Sequence, residues 1–440
     1  MKIRSLIVAA LVLAALAGTL YWSEHRKPAA ETAQASADTP PAILKLDETA
    51  ITRIEFRKKD AEPIVLEKNN AVWQITTPTP LRADQEAVSG AVSSLSSLNS
   101  ERLLEEKASD VKAFGLDHPG LEIEVTEKNN KSQKLLLGDG TPTGNAVYAM
   151  LAGDPRLFTI ATYSKNSIDK GLNDLRDKRL LTMNPDQISR MELATKSHTI
   201  EFGRTSDGWQ ILKPQPLRAD SVQVAELART LTDVRMDLGG PENGLNNVAS
   251  VFAHAAPVAT VRVTDPSGTQ SLQVRKDKDT FYAKSSAVDG IYKVDASLAH
   301  DFDRGLDDFR SKKLFDFGYN EPAKVELHTS SKDYLLTKGG PDWMSNGKKL
   351  DAETVQSLVS QLRDLSANKF LETGFSSPIL TLTVTSGDGK RVEKVAIAKS
   401  ADNYIARREA DTTLYQLDAS AVDGIEKAAD ALKPASSPGK

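Results

Sequence analysis

A chain of 440 residues has room for two to four ordinary domains, and its 40% apolar and 26% charged content is that of a globular protein. The formal net charge of −4 gives no long-range field of one sign, which argues against nucleic acid as a partner. There is no cysteine, so disulfides, thiolate nucleophiles and Cys-based metal sites are excluded.

The chain starts with a short basic segment, Met1-Lys2-Ile3-Arg4, followed by an uncharged apolar run from Ser5 to Trp22. As a helix that run would measure about 27 Å, close to the hydrocarbon thickness of a bilayer. Tyr21 and Trp22 close it where an aromatic belt would lie. The competing reading is a cleaved signal peptide, with Ala15-Leu16-Ala17 as the small-x-small site. The anchor is favoured because the apolar run continues past that site. Residues 1–26 are therefore expected to be a single N-terminal span, with the bulk of the chain on the extracytoplasmic, periplasmic side of the bacterial inner membrane. Residues 27–43, rich in Ala, Thr, Ser and Pro, are expected to be a flexible linker.

Beyond the linker the sequence repeats. Trp73, Trp209 and Trp343 are separated by 136 and 134 residues. Trp73-Gln74-Ile75 and Trp209-Gln210-Ile211 lead to Pro80-Leu81-Arg82-Ala83-Asp84 and Pro216-Leu217-Arg218-Ala219-Asp220; the third copy keeps Leu350-Asp351. Three homologous α+β domains in tandem are expected, over residues 44–181, 182–316 and 317–432, with a disordered tail at 433–440. Each is expected to be a mostly antiparallel sheet with about two helices.

Each unit opens with a period-two strand: Ile51–Phe56, Ile188–Leu193, Ala323–Leu327. A second strand follows, then a turn carrying Asn69-Asn70, Asp207-Gly208 or Gly339-Gly340-Pro341-Asp342, residues suited to positive φ. The Trp strand comes next. Asp84, Asp220 and Asp351 then stand as N-caps before helical apolar stripes: Val88, Val92, Leu95; Val224, Leu227, Leu231, Val234; Val355, Leu358, Val359, Leu362, Leu365. More strands and a closing helix complete each unit. The tryptophans are expected to be core residues packed on that first helix rather than an exposed platform for sugar or peptide.

No constellation for catalysis, cofactor or metal is visible. The histidines (His25, His118, His198, His254, His300 and His328) have no ligand spacing. Glu105-Glu106 and Asp307-Asp308 are adjacent pairs whose side chains diverge, unlike the facing carboxylates of glycoside hydrolysis. Leu137 to Asn145 is Gly-rich but lacks a phosphate-loop Lys-Ser/Thr and is expected to be a hairpin. The acid-then-base segments Leu172 to Leu180 and Leu306 to Leu314 suit a helix end followed by the joint into the next domain, with Arg176 and Arg310 in that joint. The alternative is a docking patch for an acidic partner.

The chain resembles the bacterial family defined by domain of unknown function 4340. The resemblance is carried by the hairpin Trp unit, Phe114-Gly115-Leu116-Asp117-His118-Pro119 leading to Leu121–Val125, Leu135-Leu136-Leu137-Gly138, Tyr148, Phe158-Thr159-Ile160 and Leu172 to Leu180. The second unit lacks the Gly-Leu-Asp-x-Pro turn, having Phe252-Ala253-His254-Ala255-Ala256-Pro257, and the third keeps only Thr373-Gly374-Phe375-Ser376-Ser377-Pro378. The resemblance implies a membrane-anchored envelope protein, auxiliary to gliding-motility-type ABC transporter permeases, with an integral membrane partner and no catalytic residues. The expectation is thus a non-enzymatic binding or scaffold module. The runner-up is a cell-envelope polysaccharide or peptide binder using inter-domain grooves and Tyr148, Tyr282 and Tyr404.

Overall fold

The computed structural model describes residues 42–239, 245–387, 389–409 and 411–435. The expected membrane span and most of the linker lie outside these residues. Among the described residues no helix is long and apolar enough to cross a membrane. The chain divides into two compact units, residues 1–178 and 179–440.

The first unit holds one nine-stranded antiparallel sheet. Its strands run in the spatial order Leu81–Arg82, Val72–Thr77, Ile64–Asn69, Ile51–Lys58, Leu121–Glu127, Ser132–Gly140, Ala146–Leu151, Leu157–Ala161, Arg102–Glu105. The second unit holds two sheets with the same winding. One has eight strands: Leu217–Arg218, Gly208–Lys213, Thr199–Thr205, Arg190–Thr195, Ala256–Asp265, Gly268–Asp277, Thr280–Ser285, Ile291–Val294. The other has nine: Lys348–Lys349, Asp342–Ser345, Asp333–Gly339, Lys324–Thr329, Leu380–Ser386, Arg391–Ser400, Asn403–Arg408, Leu414–Leu417, Lys369–Leu371. The architecture is α+β and repeated, and the central registers agree: Ile54 pairs with Val125, Met191 with Val263, and Val325 with Val384.

Alternation explains which face is buried. In Leu121–Glu127 and Leu380–Ser386 every second residue is buried, as a sheet covered on one side requires. The cover is the Asp-capped helix, Gln85–Ser96, Ser221–Thr232 or Ala352–Asp364. The Asp84 carboxylate accepts the N–H groups of Glu86 and Ala87, Asp220 those of Val222 and Gln223, and Asp351 that of Thr354. The expected stripes face inward: Val88, Val92 and Leu95; Val224, Leu227 and Leu231; Val355, Leu358, Val359 and Leu362 are all buried. Val234 and Leu365 lie just past their helices and are buried too. The tight turns have positive φ at Asn70, Gly208 and Gly340.

Trp73, Trp209 and Trp343 are 5%, 6% and 8% exposed, so all three are core residues. The residue after each of the first two caps reaches back to its Trp strand. Gln85 Oε1 accepts the Trp73 N–H at 2.8 Å, and Ser221 Oγ accepts the Trp209 N–H at 3.0 Å. Ala352 has no polar side chain for this, and there Leu350 N–H donates to the Trp343 carbonyl at 2.8 Å.

The structure departs from the sequence expectations in several places. A closing helix follows the last strand in each unit, Thr162–Ile168, Leu298–Asp303 and Ala419–Asp430, but the acid-then-base segments after the first two are not helices with basic ends. Helix survives there for one turn only, Leu172–Leu175 and Leu306–Asp308, each opened by a carboxylate, Asp174 or Asp308, that accepts the N–H of Gly171 or Gly305 at 2.7 Å. The chain then extends, because the short strands Leu81–Arg82 and Leu217–Arg218 offer unpaired backbone. Asp177 N–H donates to the Arg82 carbonyl at 2.9 Å, and Ser311 N–H to the Arg218 carbonyl at 3.0 Å. The third sheet closes the same way. Ala435 N–H donates to the Lys349 carbonyl at 2.9 Å, so residues 433–435 belong to the fold rather than to a disordered tail. At the other end, Ile43 N–H donates to the Leu98 carbonyl, so the linker ends before it. Leu180 and Leu181 pack in the core of the second sheet, and Leu314 and Phe315 in that of the third. Strand Arg190–Thr195 starts two residues later than expected, after a turn at Pro185–Gln187. The second sheet carries an additional helix, Leu245–His254, that the sequence reading did not anticipate.

Candidate functional site

Within residues 179–440, polar chemistry concentrates where the chain passes from the second sheet to the third. Six residues, Phe309 to Leu314, serve both. Asp220 N–H donates to the Phe309 carbonyl at 2.8 Å on the second sheet's side. Leu314 N–H donates to the Leu365 carbonyl at 3.0 Å, and Ala367 N–H to the Lys312 carbonyl at 2.8 Å, on the third sheet's side.

Side chains lock this crossing. Arg218 Nη1 donates to the Lys313 carbonyl at 2.7 Å, and Nη2 to Asp316 Oδ1. Arg408 Nη1 donates to Asp316 Oδ2 at 3.1 Å and Nη2 to Glu393 Oε1 at 3.1 Å. Asp316 N–H donates to the same Glu393 oxygen at 2.9 Å, while Arg391 Nη1 donates to the Asp316 carbonyl at 3.0 Å. The Tyr415 hydroxyl donates to Asp411 Oδ2 at 3.1 Å. Arg310 lies over the Phe370 ring at 3.6 Å and donates to Thr413 Oγ1 at 3.1 Å. These contacts put Arg310 in the joint, and its side chain also lines the cleft beside it.

Burial sets the acid–base character here. Burial opposes ionisation of Asp316, but the Arg218 and Arg408 guanidiniums outweigh it and hold its carboxyl below the usual range. Glu393 goes the other way. Its burial raises its pKa, the Asp316 N–H and Arg408 oppose that, and the Asp316 charge adds to it. The Tyr415 hydroxyl is likewise pushed up, by burial and by the Asp411 carboxylate.

Beside the joint, on the second sheet's helical side, lies a cleft of about 630 Å³. Several of its polar groups have structural duties. Asp220 caps its helix, Asp308 accepts the Gly305 N–H, and Gln223 accepts from Arg304, whose guanidinium lies over Phe309 at 4.3 Å. Glu226, His300, Asp301, Asp303, Arg310 and Lys312 complete the lining. The mixture of carboxylates and cations suits a hydrogen-bonding ligand better than an apolar one.

The first unit has a smaller cleft of about 410 Å³ beside Asp117, His118 and Pro119. The turn before it is a clasp. Asp110 caps the one-turn helix Val111–Phe114, and Gly115 ends it at φ 68°. The Phe114 ring meets Tyr148 edge-on at 4.8 Å, and Leu116, Met150 and Leu157 form a small second core around them. A Cβ on Gly138 would stand 2.1 Å from the Phe114 carbonyl oxygen, so the turn and the Leu135–Gly138 strand end need each other.

The sequence placed Arg310 in the joint but missed the joint's buried centre, Glu393 with Arg218, Asp316 and Arg408. Its signal was available in the repeat alignment, where Glu393 stands against a glutamine in each of the other units. Leu137 to Asn145 is the expected hairpin, between Ser132–Gly140 and Ala146–Leu151. Tyr148, Tyr282 and Tyr404 are each half-buried. Among the described residues no group of three or more His, Cys, Asp or Glu side chains could hold a metal ion.

A family model described as domain of unknown function (DUF4340) matches the chain twice, over residues 73–238 and 209–378. Both matches begin on a hairpin tryptophan, and the spacing between them is that of Trp73 and Trp209. Together they span well over half of the chain. Each runs from the Trp strand of one sheet through the closing segment into the next, so the sequence unit of the family is offset from the structural one. No curated protein matches the chain, and no solved structure does.

Proposed function

This chain belongs to the DUF4340 family, and on that footing we propose that it is a non-enzymatic scaffold or binding module. In this reading it is held by an N-terminal span on the extracytoplasmic face of the inner membrane and is auxiliary to an ABC transporter, whose permease is its integral membrane partner. The observation that carries the scaffold role is the joint. Arg218, Asp316, Arg408, Glu393 and Arg310 are spent on fixing one sheet to the next, an investment in geometry rather than in a reacting centre. The triplicated sheet supports the same reading, since repetition multiplies surface without multiplying chemistry. The apolar run at Ser5 to Trp22 supports the anchor.

A C-terminal alkaline phosphatase fusion tests the location. Active phosphatase is expected, and an inactive, well-expressed fusion would overturn the exported model. A second reading, a cell-envelope polysaccharide or peptide binder, is favoured by the polar cleft beside Asp220 and Arg304. Retention of the chain on cell-wall fragments, lost on Asp303→Arg, would select it.

A further inference from the structure

One register position differs among the three sheets. Gln133, Gln270 and Glu393 pair with Val125, Val263 and Val384, so they are equivalent. Each accepts a backbone N–H from the segment entering its sheet: Lys45 onto Gln133 at 3.1 Å, Thr182 onto Gln270 at 2.9 Å, and Asp316 onto Glu393 at 2.9 Å. In the first two the amide nitrogen completes the clasp. Gln133 Nε2 donates to the Lys45 carbonyl at 2.6 Å, and Gln270 Nε2 to Thr182 Oγ1 at 2.7 Å. An ionised Glu393 has nothing to donate. Its Oε2 is buried without a hydrogen-bond partner among the described residues. The place of Thr182 is taken by Asp316, an acceptor.

The surrounding charges do not balance. Glu393 is faced by Arg408 from Asn403–Arg408, by Arg391 on its own strand, and by Asp316 from the entering segment. Beyond these lie Asp411, Tyr415, and Arg218 and Asp207 of the second sheet. With every acid ionised, four carboxylates (Asp207, Asp316, Glu393 and Asp411) face three guanidiniums (Arg218, Arg391 and Arg408). One proton removes the excess.

We propose that Glu393 is a proton-binding site in the joint. Taking up a proton as pH falls, it donates from Oε2 toward the Asp316 side chain as Gln270 does to Thr182, and fastens the entering segment to the third sheet. The sign follows from its raised pKa. The stabilisation is fully present below the ordinary glutamate range and is lost as pH rises through the higher folded value. Asp316, held low by its arginines, stays ionised in that window and can accept.

The test compares melting of the full chain and Glu393→Gln between pH 8 and pH 5. Glutamine mimics the protonated acid, so the variant should melt higher than wild type at pH 8, with the gap closing toward pH 5. A gap constant across pH, or a variant melting lower at pH 8, would overturn the proposal. Should the variant fail to fold, amide exchange of Asp316 in wild type decides. Its protection, corrected for intrinsic rate, should rise severalfold from pH 8 to pH 5, and constant protection would refute the proposal.

Discussion

Arg218 and Asp316 face each other across the crossing between two sheets, and the same guanidinium that pairs with the Asp316 carboxylate also binds the Lys313 carbonyl at 2.7 Å. One side chain from the edge strand Leu217–Arg218 thus fixes both the backbone and the charge of the segment entering the third sheet. Arg218→Ala should cost about 1–2 kcal/mol, a charged hydrogen bond discounted because the Asp316 side chain is 38% exposed. Arg218→Lys should recover only part of it, since an ammonium cannot fork to two acceptors in one plane. Urea unfolding of the three proteins measures this, and equal midpoints would show that the pair holds nothing.

Acid titration should expose the same pair. Asp316 has a depressed folded pKa, so its contribution is present above the ordinary aspartate value of about 3.9 and disappears as pH falls through the lower folded value. Asp316→Asn should therefore weaken the protein at pH 7 and close its gap to wild type as pH falls through the depressed folded value. Denaturation midpoints at both ends give the comparison. A gap that widens in acid would contradict the assignment.

Trp209 is buried among the residues of the second core. Trp209→Ala should cost about 3–5 kcal/mol, the range for removing a buried large aromatic. An exposed sugar platform would lose binding and keep its stability. Calorimetry of the variant distinguishes the two outcomes.

The cap at Asp220 combines two functions. Asp220→Ala should cost about 1 kcal/mol through two orphaned helix N–H groups, and Asp220→Asn much less. Because Asp220 also lines the polar cleft, a ligand bound there would respond to Asp220→Asn while the fold barely does.

Gly138→Ala has no room. Its new methyl would meet the Phe114 carbonyl oxygen at 2.1 Å, so the Val111–Phe114 turn must move, at a cost of about 1–3 kcal/mol. Faster amide exchange at Gly115 and Leu116, whose N–H groups bond back into that turn, is the expected signature.

The sequence made the local features legible and hid the long-range ones. Alternation and the Asp caps act within a few residues, so Asp84, Asp220 and Asp351 could be placed without a structure. The tryptophans could be placed because a recurring large ring on a hairpin's inner face has few other uses. The segment Leu306 to Leu314 is the joint but holds less helix than its sequence suggests. Its acid-to-base run suits a helix macrodipole, but the decisive partner is the backbone of Arg218, some ninety residues earlier in the chain. The edge strands Arg102–Glu105 and Lys369–Leu371 are too short to show a period, and they form by pairing with Leu157–Ala161 and Leu414–Leu417. Glu393 passed as one more alternating polar residue, because burial beneath Arg408 and Asp316 is a property of the assembled sheet.

The role proposed here, an anchored scaffold for a membrane partner, is tested most directly by crosslinking the full chain in intact cells and purifying it from solubilised membranes. An integral membrane protein should co-purify reproducibly, and Arg218→Ala, which loosens the joint without touching the anchor, should reduce its yield. Repeated recovery of the chain alone, with the anchor intact and the crosslinker active, would contradict the account.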